Sequence, residues 1–411
     1  MSAAGFKATA ICPGPPAGAP PLARHFSGLP DVPRALDMLR ELNAGARRLA
    51  PPPLRQPLVL YGAGNLGRLA RDYLRAVGLD FACVVDRDAQ DRRADPFWSG
   101  VTVLSPDEVP HDLKHHAQLA VTVATSPFAP LASALHAAGW GDVVPFYDLA
   151  ENLRDQHPLS NGWFADVLSL VGFDRTAEVL AGWGDDISRA HHLQFLAWRL
   201  GREEWTFEGA PISLGDRYFI PEVRASFGSE EKFVDCGAYH GSVTGTFVAL
   251  AGGRFSSIVA IEPDAESRGV FERTMSGFDP TTAARISLLP HALYAEPRDL
   301  PFHGGLGYAS QLARTGGAMG RTRTIDSLGL SPTFLKLHLE GGELDALRGA
   351  LETIVAHRPI VAVTTYHNED GVWRTPRFLM QHLTGYRFLM RLHSWCGTGA
   401  VVYAIPAERG A

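Results

Sequence analysis

Cysteine is scarce in this chain of 411 residues: Cys12, Cys83, Cys236 and Cys396 are the whole supply. They stand too far apart for a CxxC pair or a zinc spacing, which argues against a disulfide framework and a thiolate metal centre. Reduced thiols and a cytoplasmic location are therefore expected. Long apolar runs are also missing. The longest uncharged stretch, from about residue 117 to 140, is interrupted by Pro127 and Pro130 and carries Gln, Thr and Ser, so no membrane span is expected. Before Pro13 the longest apolar run is Ala8 to Cys12, too short for the secretory leader pattern, so none is expected. Nor is there a basic excess. Lys plus Arg number 38 against 44 Asp plus Glu, a net charge of −6, so no nucleic-acid or anionic-membrane partner is expected, and a phosphate-bearing ligand would need a local site.

Glycine and proline, by contrast, are plentiful, 42 and 29 residues, without the triplet period of a fibrous protein. Ten of the 29 prolines precede residue 54, and residues 1–53 read as a Pro-rich tail and linker. At roughly 100–200 residues per domain the remaining chain suits two or three domains. From residue 54 to 150, short apolar runs alternate with helical spacings: Leu58-Val-Leu-Tyr61, Phe81 to Val85, Val101 to Leu104, Leu119 to Ala124 and Val143 to Phe146 as strands, with a helix near Leu131 to Ala138. The alternation implies a parallel, doubly wound Rossmann-like domain. Residues 151–210 hold Leu-, Trp- and Ala-rich helical stretches and read as a helical connector, with His191 and His192 as partly exposed helix residues. From 211 to 411 the alternation returns and closes on a hairpin-like pair, YRFLMRL and AVVYAIP. The expected class is α/β, two doubly wound domains joined by helices. In such sheets ligands sit beyond the carboxyl ends of the strands.

Two glycine turns stand at such ends. The first, Gly62-Ala-Gly64-Asn-Leu-Gly67, follows a strand and opens a helix, and Asp86 ends the next strand. That arrangement suits a diphosphate at the helix start and ribose hydroxyls on the carboxylate, so NAD or a nucleotide-sugar is the possible second ligand; a domain that keeps the fold and binds nothing is the alternative. The second, Phe233-Val-Asp235-Cys-Gly237-Ala-Tyr239-His-Gly241, has an acid before its first glycine, and Glu262 ends the following strand. A glycine loop without the GxGxxG spacing, with a carboxylate for both ribose hydroxyls, suits S-adenosylmethionine better than NAD.

FVDCGAYHGSVT, AIEPDAE, TIDSL, FLKLHLEGGELDALRGA and the tail VTTYHNEDGVW with GYRFLMRLHSW and AVVYAIP together resemble the FkbM-type S-adenosylmethionine-dependent methyltransferases, over about residues 215–406. DRYFIPE resembles the lead-in of that group. The resemblance implies a class I methyltransferase fold for 211–411 and methylation of a hydroxyl on a sugar, glycan or secondary metabolite. It also implies that Asp235, Gly237, Tyr239, Gly241 and Glu262 hold the cofactor, with His291 and Ala292 beside the adenine and Asp326 bracing the site. An amino-terminal unit resembling sugar-nucleotide-modifying domains accompanies some such proteins.

Methyl transfer to a hydroxyl needs alignment and a route for the proton. The ends of FLKLHLEGG and AVTTYHNED supply His338, Glu340, Tyr366 and His367. His338 and Glu340 are expected to alternate along an extended segment and point the same way. His367 is the expected base, with Glu340 orienting it or the substrate. The group usually shows an acid where this chain has His338, in Lys336-Leu-His338-Leu-Glu340-Gly341. Losing a carboxylate weakens a divalent-ion reading and no metal is expected, although a His, a Glu and Asp326 are residues able to ligate one. The rival functions are an NAD- or nucleotide-sugar-dependent enzyme centred on the amino-terminal domain and a catalytically silent binding protein.

Overall fold

The computed structural model describes residues 21–159 and 164–409; the proline-rich opening through residue 20, with Cys12, lies outside them. Two parallel α/β sheets carry the architecture. In the first, five strands run in the order Val103–Leu104, Cys83–Val85, Leu58–Tyr61, Gln118–Val121 and Asp142–Pro145, all parallel. Leu58 to Leu60, Cys83 to Val85 and Leu119 to Val121 are buried, which is why continuous Val, Leu and Ala runs without alternation form these strands. The helix Asn65–Ala76 packs Leu69, Ala70, Tyr73 and Leu74 against this sheet. Its close approach requires Gly67, whose added Cβ would lie 2.1 Å from the Gly62 carbonyl oxygen.

The second sheet has seven strands in the order Ile286–Leu289, Phe255–Ile261, Glu231–Cys236, Phe334–Leu337, Ile360–Thr364, Ala400–Pro406 and Tyr386–Leu392. The first five are parallel. Ala400–Pro406 is antiparallel to both of its neighbours, and with Tyr386–Leu392 it forms the terminal hairpin expected from the sequence. Phe233 stacks between Phe247 and Phe334 at centroid separations of 4.5 and 4.9 Å, tying one face of the sheet to the helix Ser242–Ala251. Residues 292–323 add a small four-stranded sheet whose Leu306, Tyr308 and Ala309 pack into the core of the amino-terminal sheet.

The amino-terminal segment is more than a tail. Ala23–Phe26 pairs in parallel with Glu204–Phe207, and the helix Val32–Gly45, capped by Asp31, packs on the helices Leu170–Gly182 and Asp186–Gly201. Ala35, Met38, Leu39 and Leu42 recur at helical spacing and are buried in the main core; proline-rich flanks mask this short amphipathic stretch. Leu39→Ala is expected to cost about 2–5 kcal/mol in a denaturant melt. A dispensable tail would show no change.

Residues 151–210 likewise do more than connect. From Ser188 to Leu200 the helix Asp186–Gly201 is buried on every side, because the strand Tyr386–Leu392, the helix Val32–Gly45 and the strand Glu204–Phe207 surround it. His191 and His192 are therefore interior, 1% and 0% exposed, not partly exposed as the sequence suggested. His192 accepts from the Trp183 indole at 3.1 Å and donates to the Val372 carbonyl at 2.6 Å, a pattern satisfied by the neutral ring. Burial pushes both histidines down to about 4 from the ordinary 6.5. The unfolded chain then binds more protons between these values, so their contribution is whole above pH 6.5 and is lost as pH falls towards 4. The loss is on the order of 3 kcal/mol for each. Urea melts at about pH 7 and about pH 4.5 are expected to show a large fall in midpoint, and His191→Gln with His192→Gln to flatten that dependence.

Candidate functional site

The carboxyl ends of both sheets face one cavity of about 1280 Å³, lined by Gly62, Gly64 and Asp86 from the first sheet, by Gly237, Tyr239, Glu262, His338, Glu340 and His367 from the second, and by His291 and Ala292 where the small sheet begins. The two glycine turns thus open on a common space. Tyr147, from the helix Phe146–Ala150 of the first sheet, hydrogen-bonds Tyr308 of the small sheet and ties the two walls together.

Both turns are braced in the same way. Asp86 accepts from the Ala63 amide at 2.6 Å and from the Asp88 amide at 2.9 Å. Glu262 accepts from the Tyr239 amide at 2.8 Å and from the Asp264 amide at 2.9 Å. Each carboxylate fixes its glycine turn and keeps further lone pairs for a ligand's hydroxyls. Burial raises the pKa of Glu262 against these amide bonds. Gly237 has φ of +76°, and an added Cβ would lie 1.9 Å from the His338 carbonyl oxygen, so only glycine lets the turn meet the neighbouring strand.

Not every expected ligand residue lines the cavity. Asp235 is fully buried behind the turn, where it accepts from Lys336 Nζ at 2.8 Å and from the Thr244 hydroxyl at 2.8 Å. Lys336 Nζ in turn donates to the Gly237 carbonyl at 2.8 Å, so Asp235 shapes the turn through Lys336. Gly241, with φ of +85°, begins the helix Ser242–Ala251 and abuts Phe271 and Met275; Gly67 packs beneath the first turn. Asp326 does not brace the site: its carboxylate accepts from the Thr353 amide at 2.8 Å and so begins the helix Leu351–His357. His291 and Ala292 do line the cavity, just past the strand Ile286–Leu289.

His338, Glu340 and His367 come together, though not by strand alternation. The strand ends at Leu337, and Glu340 and Gly341 have φ of +48° and +103°, a turn that folds the Glu340 carboxylate back between the two imidazoles. Glu340 oxygens lie 2.9 Å from His338 Nε2 and 3.5 Å from His367 Nε2. His367 Nδ1 is held instead by Glu343, at 2.6 Å. Glu343 also accepts from the Thr364 hydroxyl and from the Leu339 and Gly341 amides, at 2.8, 3.0 and 3.0 Å. The carboxylate that orients His367 at Nδ1 is therefore Glu343, where the sequence offered Glu340 for orienting either this ring or the substrate. His338 Nδ1 meets the Tyr218 hydroxyl at 2.8 Å, and its Nε2 meets the Tyr366 hydroxyl at 3.2 Å; Arg217 donates to the latter hydroxyl at 2.6 Å.

Burial divides the charges of this cluster. It pushes Glu340 up to about 7. His338 is held well below its ordinary value by burial, reinforced by Arg217 and His367. Burial opposes the charge on His367 too, but the carboxylates of Glu340 and Glu343 outweigh it and leave the pKa above the ordinary value. Glu343 is lowered despite burial, because His367 and its hydrogen bonds favour the anion. Sequence reasoning missed Glu343, Arg217, Tyr218 and Lys336. EGGE was a visible signal for Glu343, since two glycines after a strand permit a turn directly into a helix carrying that acid.

Among the described residues no helix is long and apolar enough to cross a membrane. No curated protein matches the chain. Among solved structures, the methyltransferase FkbM from Methylobacillus flagellatus KT is similar over 91% of this chain and 98% of its own, at 19% identity and a TM-score of 0.59, a likeness of fold that takes in both sheets. The precorrin-6y C5,15-methyltransferase from Geobacter metallireducens GS-15 matches 48% of this chain and 95% of its own at 15% identity, with a TM-score of 0.27. Residues 235–390 match the methyltransferase FkbM domain family, the family that the sequence motifs resemble.

Proposed function

We propose that the protein transfers a methyl group from S-adenosylmethionine to a hydroxyl of a sugar, glycan or secondary metabolite. The observation that carries this reading is that the Gly237 turn, with Glu262 beside it, and the His338–Glu340–His367 cluster line one cavity. Glu262 fits the cofactor's ribose, since a carboxylate offers about four acceptor sites and two amides engage only part of them. Tyr239, His291 and Ala292 line the same cavity, which supports the reading that they flank the adenosine. When bound, the cofactor supplies an electrophilic sulfonium methyl. The chain's own residues then hold the acceptor in line and receive its proton. Glu343 fixes His367 through Nδ1, which leaves Nε2 towards Glu340 and the cavity as the position that takes the hydroxyl proton. Arg217 and Tyr218 fix Tyr366 and His338 around the same point.

A second ligand is favoured by one specific feature. Gly62, Gly64 and Asp86 face this same cavity with the same amide-braced acid as the second turn, so a nucleotide or nucleotide-sugar held there would extend its sugar towards the cluster. Incubation with methyl-labelled S-adenosylmethionine and a panel of sugars, nucleotide-sugars and glycosylated metabolites tests the reading. Label transferred to an acceptor oxygen supports it. Cofactor binding with no transfer to any acceptor would favour a silent binding protein, and binding of NAD alone would favour a nucleotide-dependent enzyme centred on the first sheet.

A further inference from the structure

We infer that His338, Glu340 and His367 form a binding site for one divalent transition-metal ion, open towards the acceptor side of the cavity. Their candidate ligand atoms all lie within 4.8 Å of one another. Bonds of about 2.0–2.2 Å from nitrogen and carboxylate oxygen place ligand atoms roughly 3–3.5 Å apart around an ion. One Glu340 oxygen lies 2.9 Å from His338 Nε2 and the other 3.5 Å from His367 Nε2, so the carboxylate is within such reach of both imidazoles. The surroundings resemble the support of a metal centre. Each imidazole turns Nε2 inwards while its Nδ1 is fixed from behind, His367 by Glu343 at 2.6 Å and His338 by the Tyr218 hydroxyl at 2.8 Å. Carboxylates or other polar partners that fix the far nitrogen of a ligating histidine are the usual second layer of such sites. The positive φ of Glu340, +48°, is the third sign: a non-glycine residue is kept in an uncommon conformation that brings its carboxylate between the rings.

Two nitrogens and one carboxylate select zinc, manganese, iron or cobalt over magnesium or calcium, which take oxygen ligands. Three protein ligands leave a coordination position for a further oxygen, and all three residues line the cavity. The ion reverses the expectation drawn from the loss of an acid at position 338, because an imidazole replaces one ligand type with another. The inference deepens the methyl-transfer reading and rests on it for the identity of that oxygen. An ion held by these three residues would bind the acceptor's oxygen at the open position and lower the pKa of its hydroxyl, taking over at that point the part that His367 has in the metal-free cluster. His367 then serves as a ligand.

The test uses the full chain, stripped with a chelator and titrated with Co²⁺. One equivalent is expected to bind, with visible d–d absorption and a raised Tm. Glu340→Gln is expected to abolish the absorption, and Glu343→Gln, which weakens the support behind His367 and behind the Leu339–Gly341 turn without removing a ligand, to weaken Co²⁺ binding by about 10–100-fold. Circular dichroism establishes that each variant is folded; if either is not, the wild-type titration alone decides. Absence of Co²⁺ uptake by the wild-type protein, or uptake unchanged in a folded Glu340→Gln variant, overturns the inference. The same preparation titrated with S-adenosylmethionine separates the two readings. Cofactor binding without metal uptake overturns the metal site alone, and metal uptake without cofactor binding overturns the methyl donor alone.

Discussion

His367→Ala is expected to lower kcat by about 10²–10⁴-fold, the range for removal of a positioned acid–base group, while S-adenosylmethionine still binds. The expectation rests on the position of this ring, which is 2% exposed, fixed at Nδ1 by Glu343 and turned at Nε2 towards Glu340. As proton acceptor in the bare cluster or as ligand in the loaded one, His367 is needed at that nitrogen, so both roles predict the loss. Glu343→Gln should act through His367: an amide still bridges the ring but no longer favours its charged form, so the predicted result is a lower kcat with KM for the acceptor little changed. Single-turnover methyl transfer measured with both variants checks this. A His367→Ala enzyme with full activity on the true acceptor would mean that proton removal lies elsewhere.

Gly237→Ala is the second large effect, and it strikes both halves of the site at once. The new Cβ meets the His338 carbonyl oxygen at 1.9 Å, in a backbone conformation with φ of +76°. Main chain must move either in the Gly237 turn or in the segment that presents His338 and Glu340. The strain alone is worth on the order of 1–3 kcal/mol, and a displacement of about 1 Å at a reacting centre costs about a hundredfold in rate. The expected outcome is a lower Tm together with loss of cofactor binding and of turnover. Gly45→Ala, where an added Cβ meets nothing within 4 Å, is the control and should behave as wild type.

Much of the scaffold is legible in the residues. Short apolar runs ending in glycine, acid or histidine mark the buried parallel strands and their ligand-facing ends, because such strands carry no alternation and the polar residues gather where the chain turns. Boundaries shift by a few residues: the run read as Val101 to Leu104 is a strand only at Val103–Leu104. The helix Val32–Gly45 is harder to see, since prolines on both sides dominate the local composition and its partners lie more than a hundred residues away. His191 and His192 mislead for a related reason. A helix enclosed on all sides need not be apolar throughout when each polar ring finds a partner, as His192 does in Trp183 and Val372.

The site divides in the same way. Gly237, Tyr239, Glu262 and the His338–Glu340–His367 trio were visible because each stands at a strand end. Asp235 was visible as a residue but not in its role, since only the structure shows Lys336 between its carboxylate and the Gly237 carbonyl. Arg217 and Tyr218 reach the cluster from more than a hundred residues upstream, and Tyr147 comes from the other sheet. Spacing along the chain carries no signal for such contacts.

Methyl transfer as proposed needs S-adenosylmethionine to bind at the Gly237 turn with Glu262, and calorimetric titration of the wild-type protein and of Glu262→Ala measures that binding. One equivalent is expected to bind to the wild type, with affinity weakened about 10–100-fold in the variant, the loss expected for hydrogen bonds to a buried carboxylate. A wild-type protein that does not bind the cofactor, or a Glu262→Ala variant that binds it equally well, would overturn the proposal.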